Sequence, residues 1–143
     1  MTIEIPRELY EEVLAHLRAG APNEACGVLA GVDGKVAAVY PMRNAEESPV
    51  AYRFDELEQL EVFREVEDRG WDLLAFFHSH THTEAHPSLT DVRHAHWESD
   101  AGEPLPAYPG TRYVIVSLMD AEPVARAFTF EDGTPVEEEV SVV

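Results

Sequence analysis

The chain has 143 residues, a length that fits one domain, residues 1–143, with one sizeable hydrophobic core. Hydrophobic residues make up 45% of it, a globular composition that excludes an intrinsically disordered chain. The formal net charge is −18. Because binding to a phosphate backbone requires a basic face, this charge excludes a nucleic-acid partner.

The same charge bears on the conditions in which the chain is stable. Its 28 acidic residues outnumber 10 basic ones, and repulsion among them destabilises the compact state. Salt shortens the Debye length to about 3 Å at 1 M and relieves this repulsion. We therefore expect a protein adapted to high salt. The alternative is an ordinary acidic domain, whose stability does not rise between dilute buffer and molar salt.

The sequence lacks the features of membrane and secreted proteins. No window approaches the roughly 18 uninterrupted apolar residues of a membrane span. The N-terminus, MTIEIPRELYEE, is acidic early and lacks the basic-then-apolar pattern of a signal peptide. The one cysteine cannot form an internal disulfide. These observations predict a cytoplasmic protein with no membrane partner.

The predicted elements begin with a strand and a helix. Residues 2–5 alternate polar and apolar side chains, as a short strand does. Pro6 then occupies the position of a first helical residue, apolar side chains follow at helical spacing, and Gly20 ends the helix. Two apolar runs come next, and the Asp33-Gly34 dipeptide between them favours a tight turn. The sequence therefore predicts a hairpin after the first helix.

The middle of the chain predicts a second helix and a buried strand. Asp55 is a candidate N-cap, and the amphipathic pattern that follows it ends at Gly70. Residues 73–77 form a continuous apolar run, which is typical of a central strand. This run leads directly into His78.

A third helix and several strands complete the prediction. The segment SLTD, beginning at Ser88, has the form of a capping box, with Asp in place of the usual Glu. Strand-like runs follow a Pro- and Gly-rich loop at residues 113–119, 124–130 and 136–142. This order of elements predicts an α+β fold, with a mainly antiparallel sheet flanked by helices.

The segment HSHTHTEAHPSLTD, residues 78–91, holds four of the seven histidines. On an extended backbone His78, His80 and His82 point to one face, and two of them can reach one metal ion. Asp91 can supply a third ligand if the loop folds back. The alternative is a solvated histidine-rich loop. The apolar run before His78 favours a site built on a rigid strand.

The spacing within this segment resembles a known family. The pattern His-Ser-His-x7-Ser-x2-Asp, with an upstream Glu24 in NEACGVLAG, is similar to the signature of the JAMM (MPN-plus) metalloproteases. Weaker similarities lie in RNAEESPVAYRFD and YPGTRYVIVSL, so that the resemblance covers roughly residues 24–118. One departure is Thr81, where the family often has proline.

The resemblance implies a fold, a cofactor and residue roles. The fold would be MPN/JAMM-like, with a curved sheet and a cytidine-deaminase-like architecture. His78, His80 and Asp91 would bind Zn²⁺ and leave one position for water. Glu24 would act as general base and then general acid, and Ser88 would donate a hydrogen bond to the oxyanion.

The implied reaction is hydrolysis of an amide or isopeptide bond. The implied partners are ubiquitin-like β-grasp proteins, including sulfur carriers and their conjugates, cut at the C-terminal tail. The chain is short between Asp91 and Tyr113 and has no long insertion near residues 45–52, as in compact prokaryotic members. Such members release either a conjugated protein or a single amino acid, and the sequence leaves both open.

Each candidate residue has a structural alternative. Glu24 could be a turn carboxylate, Ser88 only an N-cap, and Asp91 only the acid of the capping box. His82 and His86 are additional to the family pattern, and we expect them to take no part in the chemistry.

Two other functional classes compete with the peptidase. A non-catalytic MPN-type scaffold lacks the metal ligands that this sequence retains. Other small metallohydrolases, such as PHP phosphoesterases and amidohydrolases, also open with His-x-His. Their barrels need further ligands and usually exceed about 200 residues. Metal analysis separates the scaffold from both enzymes.

Overall fold

The computed structural model describes residues 2–98 and 100–143 and confirms the α+β class. The strands and helices, in chain order, are β1 (Ile3–Ile5), α1 (Arg7–Gly20), β2 (Cys26–Val32), β3 (Lys35–Met42), α2 (Glu56–Asp68), β4 (Asp72–His80), α3 (Leu89–His94), β5 (His96–Glu98), β6 (Pro104–Pro106), β7 (Arg112–Ser117), β8 (Val124–Glu131), β9 (Thr134–Glu138) and β10 (Val140–Val142). None of the helices among the described residues is long and apolar enough to cross a bilayer.

Eight strands form one sheet in the order β10-β1-β3-β2-β4-β7-β8-β9. The pairs β2–β3, β2–β4, β7–β8 and β8–β9 are antiparallel, whereas β4–β7 and both partners of β1 are parallel. Strand β4 therefore has a hydrogen-bonded neighbour on each side. The first strand pairs with the last, which joins the two ends of the chain in one sheet.

The N-terminal half follows the sequence prediction closely. The β2–β3 hairpin turns at Asp33 and Gly34, whose φ angles of 55° and 75° are those of a primed turn. Asp55 caps α2, because its side chain accepts a hydrogen bond from the amide of Glu58 at 3.1 Å. One detail differs: Pro6 precedes α1 with ψ 139°, so it is the N-cap residue and the helix begins at Arg7.

The two faces of the sheet carry different cores. On one face α1 packs its buried Val13, Leu14 and Leu17 against a cluster that includes Phe77 of β4. The opposite face carries a more aromatic cluster around Phe76, against which Phe63 of α2 packs. Neighbouring residues of a strand point to opposite faces, so Phe76 and Phe77 belong to different cores.

The C-terminal half differs from the prediction in two ways. The single run predicted at residues 136–142 is two strands, because β9 pairs with β8 whereas β10 pairs with β1. The Pro- and Gly-rich loop contains β6, which forms a two-stranded ribbon with β5. Hydrophobic alternation along one run does not show which neighbour each part of it pairs with.

Candidate metal centre and active site

Strand β4 carries both motif histidines on one face at its C-terminal end. Because side chains alternate along a strand, His78 and His80 point to the same side as Phe76. The two histidines are only 1% and 4% exposed. The sequence prediction ended the apolar run at residue 77, but the strand continues through the histidines. They therefore lie on a rigid central strand and not on a solvated loop.

The chain before β2 lies beside the same end of β4. The amide of Ser79 donates to the carbonyl of Ala25 at 3.0 Å, and the amide of Ala25 donates to the Ser79 hydroxyl oxygen at 2.9 Å. Ala25 is thus opposite Ser79, and the preceding Glu24 is opposite His80. Residues opposite each other in an antiparallel pair share a face. Glu24, more than fifty residues upstream, is thereby brought to the histidine face.

A capping box at the start of α3 holds Asp91. The Asp91 amide donates to Ser88 Oγ at 3.0 Å, and the Ser88 amide donates to Asp91 Oδ2 at 3.0 Å. The same Oδ2 lies 3.3 Å from His78 Nε2 and 3.0 Å from His80 Nε2. The capping role and the candidate ligand role of Asp91, which the sequence presented as alternatives, are therefore compatible in one carboxylate.

The three candidate ligand atoms have the spacing of a tetrahedral site. The two Nε2 atoms are 3.2 Å apart, and Asp91 Oδ2 completes a triangle with sides of 3.0 and 3.3 Å. Ligands about 2.0–2.1 Å from a tetrahedral zinc ion are separated by about 3.3 Å from one another. The triangle fits a metal ion of this kind, with a fourth position left for another ligand.

The hydrogen bonding of His80 also fits a cation in this position. Its Nδ1 lies 2.9 Å from the carbonyl oxygen of Glu84, and a carbonyl only accepts, so Nδ1 carries the proton of this bond. In the neutral ring, Nε2 then presents a lone pair to the carboxylate of Asp91. Two acceptors 3.0 Å apart require a positive charge between them, either a proton or a metal ion.

The pKa values of the three groups follow from the same contacts. Burial lowers the pKa of His78 despite the nearby Asp91. Burial also lowers that of His80, but its bonds to Asp91 and the Glu84 carbonyl outweigh this effect and the net pKa is raised. Burial opposes ionisation of Asp91, yet its close contacts with His78 and His80 hold its pKa well below the usual range. Asp91 is therefore a carboxylate at neutral pH.

An aromatic contact orients His78. Its ring is stacked on that of Tyr52, with centroids 4.5 Å apart and an interplanar angle of 27°. His78 Nδ1 is buried and has no hydrogen-bond partner among the described residues. Tyr52, which the sequence analysis did not single out, thus orients one histidine, while a hydrogen bond orients the other.

Glu24 is a buried carboxyl group without a hydrogen-bond partner at one oxygen. The residue is 5% exposed, and its Oε1 receives no hydrogen bond from the described residues. Burial and, to a lesser extent, the charge of Asp91 raise the pKa of Glu24 to about 8, against the opposing effect of His80. An unpaired buried carboxyl is unfavourable for folding, which is typical of a functional group.

Asn44 anchors the loop that covers this region. Its amide nitrogen donates to the carbonyls of Glu24 at 2.9 Å and Ala51 at 3.0 Å. Its amide oxygen accepts from the backbone of Glu46 at 3.0 Å and Arg53 at 3.2 Å. All four hydrogen bonds of one side chain thus connect the backbone of Glu24 to the residues around Tyr52. In the sequence, the RNAEESPVAYRFD segment showed only a weaker similarity to the family.

The remaining histidines lie outside the triad. Among residues 2–98 and 100–143, His78, His80 and Asp91 form the group whose ligand atoms converge. His82 is exposed and its Nδ1 lies 2.8 Å from the Thr81 hydroxyl. His86 is also exposed and packs edge-to-face on Phe128. That these two histidines take no part in the chemistry stays a prediction.

Comparison with known sequences gives the same family as the motif. Residues 6–131 match the family described as prokaryotic homologs of the JAB domain. A CysO-cysteine peptidase from Mycobacterium tuberculosis is 42% identical over 97% of this chain and 90% of its own length. A probable TtuB-protein conjugate cleaving protease from Thermus thermophilus is 40% identical over 68% and 66%. A desampylase from Haloferax volcanii is 34% identical over 80% of each chain.

Solved structures agree. A Desulfitobacterium hafniense protein known from its solution structure superposes with a TM-score of 0.82 and 34% identity, over 100% of this chain and 93% of that one. A structure described as a metalloprotease-like zinc site in the proteasome and signalosome gives a TM-score of 0.53 at 17% identity over 98% of both chains, which concerns the fold alone. The chain therefore belongs to the compact prokaryotic branch of the JAMM/MPN family, as a hydrolytic peptidase or isopeptidase.

Proposed function

We propose that the chain, as one domain, is a zinc-dependent peptidase that hydrolyses the amide bond after the C-terminal glycine of a ubiquitin-like sulfur-carrier protein. The observation that carries the proposal is the triangle of His78, His80 and Asp91 beside the buried Glu24, whose Oε1 has no partner among the described residues. A non-catalytic scaffold requires neither a convergent ligand set nor an unsatisfied carboxyl group.

His78, His80 and Asp91 would hold the metal ion. Two neutral imidazoles and one carboxylate are the ligand set of many catalytic zinc sites. When bound, zinc polarises a carbonyl group and brings the pKa of water towards about 7, so that hydroxide is available near neutral pH. The strand and the capping box fix the three ligand atoms in advance, which limits the reorganisation that binding requires.

Glu24 is the proposed general base. The carboxyl group of Glu24 lies opposite His80 on the histidine face, and its Oε1 has no hydrogen-bond partner among the described residues, so it can accept a proton at the site. It takes the proton from the attacking water as the new C–O bond forms. It then returns that proton to the amide nitrogen as the C–N bond breaks. The amine leaves and the carrier retains its carboxylate.

Ser88 is the proposed oxyanion donor. Its oxygen accepts the bond from the Asp91 amide, and this uses one lone pair. A hydroxyl group has one proton to donate in addition to its two lone pairs, so Ser88 can cap α3 and donate to the substrate at once. A hydrogen bond to the developing oxyanion stabilises the tetrahedral intermediate more than the substrate.

The names of the relatives support the substrate class. They refer to a CysO-cysteine bond, to TtuB-protein conjugates and to desampylation. These reactions share a ubiquitin-like carrier whose C-terminal tail is joined to an amine. We extend this class to the present chain because its identity to the first relative is 42% over nearly the full length.

We also propose a cytoplasmic location and a preference for salt. The single cysteine, Cys26, is buried and free, which suits a reducing compartment. The net charge of −18 supports adaptation to high ionic strength.

The proposal is tested with CysO extended by one cysteine through an amide bond. The zinc-loaded protein should release free cysteine and CysO, and a chelator should stop the release. The Glu24→Gln variant should retain one zinc ion per chain and lose activity, while Glu12→Gln, on the exposed face of α1, should behave like the wild type. Full activity in zinc-loaded Glu24→Gln would contradict the mechanism.

A further inference from the structure

An aromatic cleft adjoins the candidate metal centre along the same strand face. It encloses about 350 Å³, a volume within the range of small-ligand sites. Phe76, two residues before His78, lies at its base, and Tyr52, which is stacked on His78, forms part of its wall. Tyr108 and Tyr113, which also line the cleft, contact the ring of Phe76. Tyr52 and Phe76 therefore connect the cleft to the candidate metal centre.

The mouth of the cleft is basic in a strongly acidic protein. Two of the ten basic residues in the sequence, Arg53 and Arg93, line the cleft. Arg93 lies two residues after Asp91 and forms no ion pair with any residue that the structure describes. Arg53 pairs with Glu46 at 3.0 Å, but both side chains are about half exposed, so this pair is weak.

We propose that this cleft binds the leaving group of the reaction and that Arg93, assisted by Arg53, recognises a free α-carboxylate on it. The preferred substrate is then a carrier that bears a single amino acid, in preference to a carrier joined to a lysine side chain of another protein. The inference rests on the proposed function, because it assigns the residue on the far side of the bond that the candidate centre hydrolyses.

Covalent geometry connects the carboxylate to the site. In a single attached residue the carboxyl carbon lies only about 3–3.7 Å from the carbonyl carbon that is attacked, because three covalent bonds separate the two. A cationic side chain that recognises this α-carboxylate must therefore lie close to the metal ligands. Arg93 lines the cleft together with Tyr52, the residue stacked on His78, and its long side chain can extend towards the metal ligands. Its planar guanidinium can hold a carboxylate with two parallel hydrogen bonds.

An isopeptide-linked lysine lacks this group. Its nitrogen is followed by four methylenes, so the nearest backbone carboxyl or amide is several ångströms further away and carries no charge within a protein. The aromatic walls could still pack against the methylenes. Arg93 would form no charge-assisted hydrogen bond with such a substrate. The two leaving groups are therefore distinguished by the presence or absence of a carboxylate charge.

The experiment compares three matched adducts of CysO. The first carries one C-terminal alanine with a free carboxylate, the second carries alanine amide, and the third is joined to the side chain of a lysine whose carboxyl is amidated. The zinc-loaded wild type should cleave the first with a kcat/KM at least about tenfold above the others, as expected for loss of a charge-assisted hydrogen bond. Arg93→Gln should remove this preference and Arg93→Lys should restore part of it. Arg18→Gln, an exposed arginine on α1 at the other face of the sheet, should keep it.

A binding measurement separates this inference from the proposed reaction. Zinc-loaded Glu24→Gln should bind the free-acid adduct more tightly than the amide, and the double variant with Arg93→Gln should bind both equally. Equal cleavage and equal binding of acid and amide, or a loss in Arg93→Gln that is the same for both, would overturn the inference. Arg93-dependent binding without any cleavage by the wild type would support the cleft and contradict the proposed function.

Discussion

Ser88 and Asp91 hold each other through two reciprocal hydrogen bonds of 3.0 Å, and the same oxygen of Asp91 faces both histidines. The pair thus joins the start of a helix to the candidate metal centre. A change at Ser88 has consequences for helix stability, carboxylate orientation and catalysis at once, and these consequences can be measured separately.

Replacing Ser88 by alanine removes the cap and the proposed oxyanion donor. We expect kcat to fall by about 10²–10³, as on removal of other oxyanion donors. The free energy of unfolding should fall by about 1 kcal/mol through loss of the cap. Ser88→Thr, which retains the hydroxyl, should recover most of both. A kcat within threefold of wild type in zinc-loaded Ser88→Ala would leave Ser88 with the capping role alone.

Zinc binding should depend on the triad and not on the neighbouring histidines. His78→Ala and Asp91→Asn should each weaken zinc binding by at least about a hundredfold, since even second-sphere partners contribute tenfold or more. His82→Ala and His86→Ala serve as matched controls and should bind zinc like the wild type. Zinc per chain after dialysis against a competing chelator measures the difference. Loss of zinc in a control variant with retention in His78→Ala would reassign the site.

The raised pKa of Glu24 predicts a pH-dependent stability of the metal-free protein. The folded chain holds a proton that the unfolded chain releases above its ordinary pKa of 4.5, so this stabilising contribution is complete below pH 4.5 and is lost as the pH rises to about 8. Glu24→Gln does not titrate. Its melting temperature, measured with a chelator present, should therefore exceed that of the wild type increasingly from about pH 5 to 8. A difference for Glu24→Gln that stays constant across this range would count against the raised pKa.

Asn44 should act on catalysis through Glu24 and the loop that carries Tyr52. Asn44→Ala leaves the carbonyls of Glu24 and Ala51 without this donor, so we expect a loss of about 1–3 kcal/mol in stability. At a temperature well below melting, kcat should fall at least about tenfold with zinc content unchanged, because the base and not the ligands has moved. Asn23→Ala, at a neighbouring side chain outside this network, is the control. An unchanged kcat with lower stability would make Asn44 purely structural.

The melting temperature should rise with salt. If repulsion among acidic residues limits stability, sodium chloride raised from about 0.1 to 2 M should increase the melting temperature by at least about 5 °C, which corresponds to roughly 1–2 kcal/mol in a domain of this size. Sucrose, which stabilises folded proteins without screening charge, provides the comparison. The chain would be an ordinary acidic domain if the melting temperature does not rise over the first few tenths molar sodium chloride and sucrose reproduces any rise at higher concentration.

The sequence predicted those parts of the fold whose signals are local. The Asp33-Gly34 turn and the Asp55 cap are both present, because turn and cap chemistry depends on a few adjacent residues. The division of the last run into β9 and β10 was not predicted, since it depends on pairing with β8 and β1 at distant positions. The β5–β6 ribbon was not predicted either, because it also depends on pairing between separated segments.

The candidate site shows the same limit. Spacing along the chain identified His78, His80 and Asp91, which converge in the structure. It did not identify Tyr52 or Asn44, because stacking on a histidine and a fourfold hydrogen bond have no characteristic spacing. In the sequence, the segment that contains both residues showed only a weaker similarity to the family. Residues that orient a site through stacking or hydrogen bonds are recognised from contacts in the structure and not from a sequence motif.

Two candidate ligands lie on the central strand β4 and the third lies on the short helix α3, so the three ligands differ in how firmly the fold holds them. Strand β4 is hydrogen-bonded on both sides, so the two imidazoles can separate only when the sheet opens. The carboxylate belongs to the six-residue helix α3, whose residues other than Asp91 are all partly or fully exposed and whose first turn is held by the Ser88 cap. A metal ion would therefore exchange when α3 moves the Asp91 carboxylate away from the two fixed histidine nitrogens. The stability of the Ser88 cap would set the exchange rate, and global unfolding would not be required.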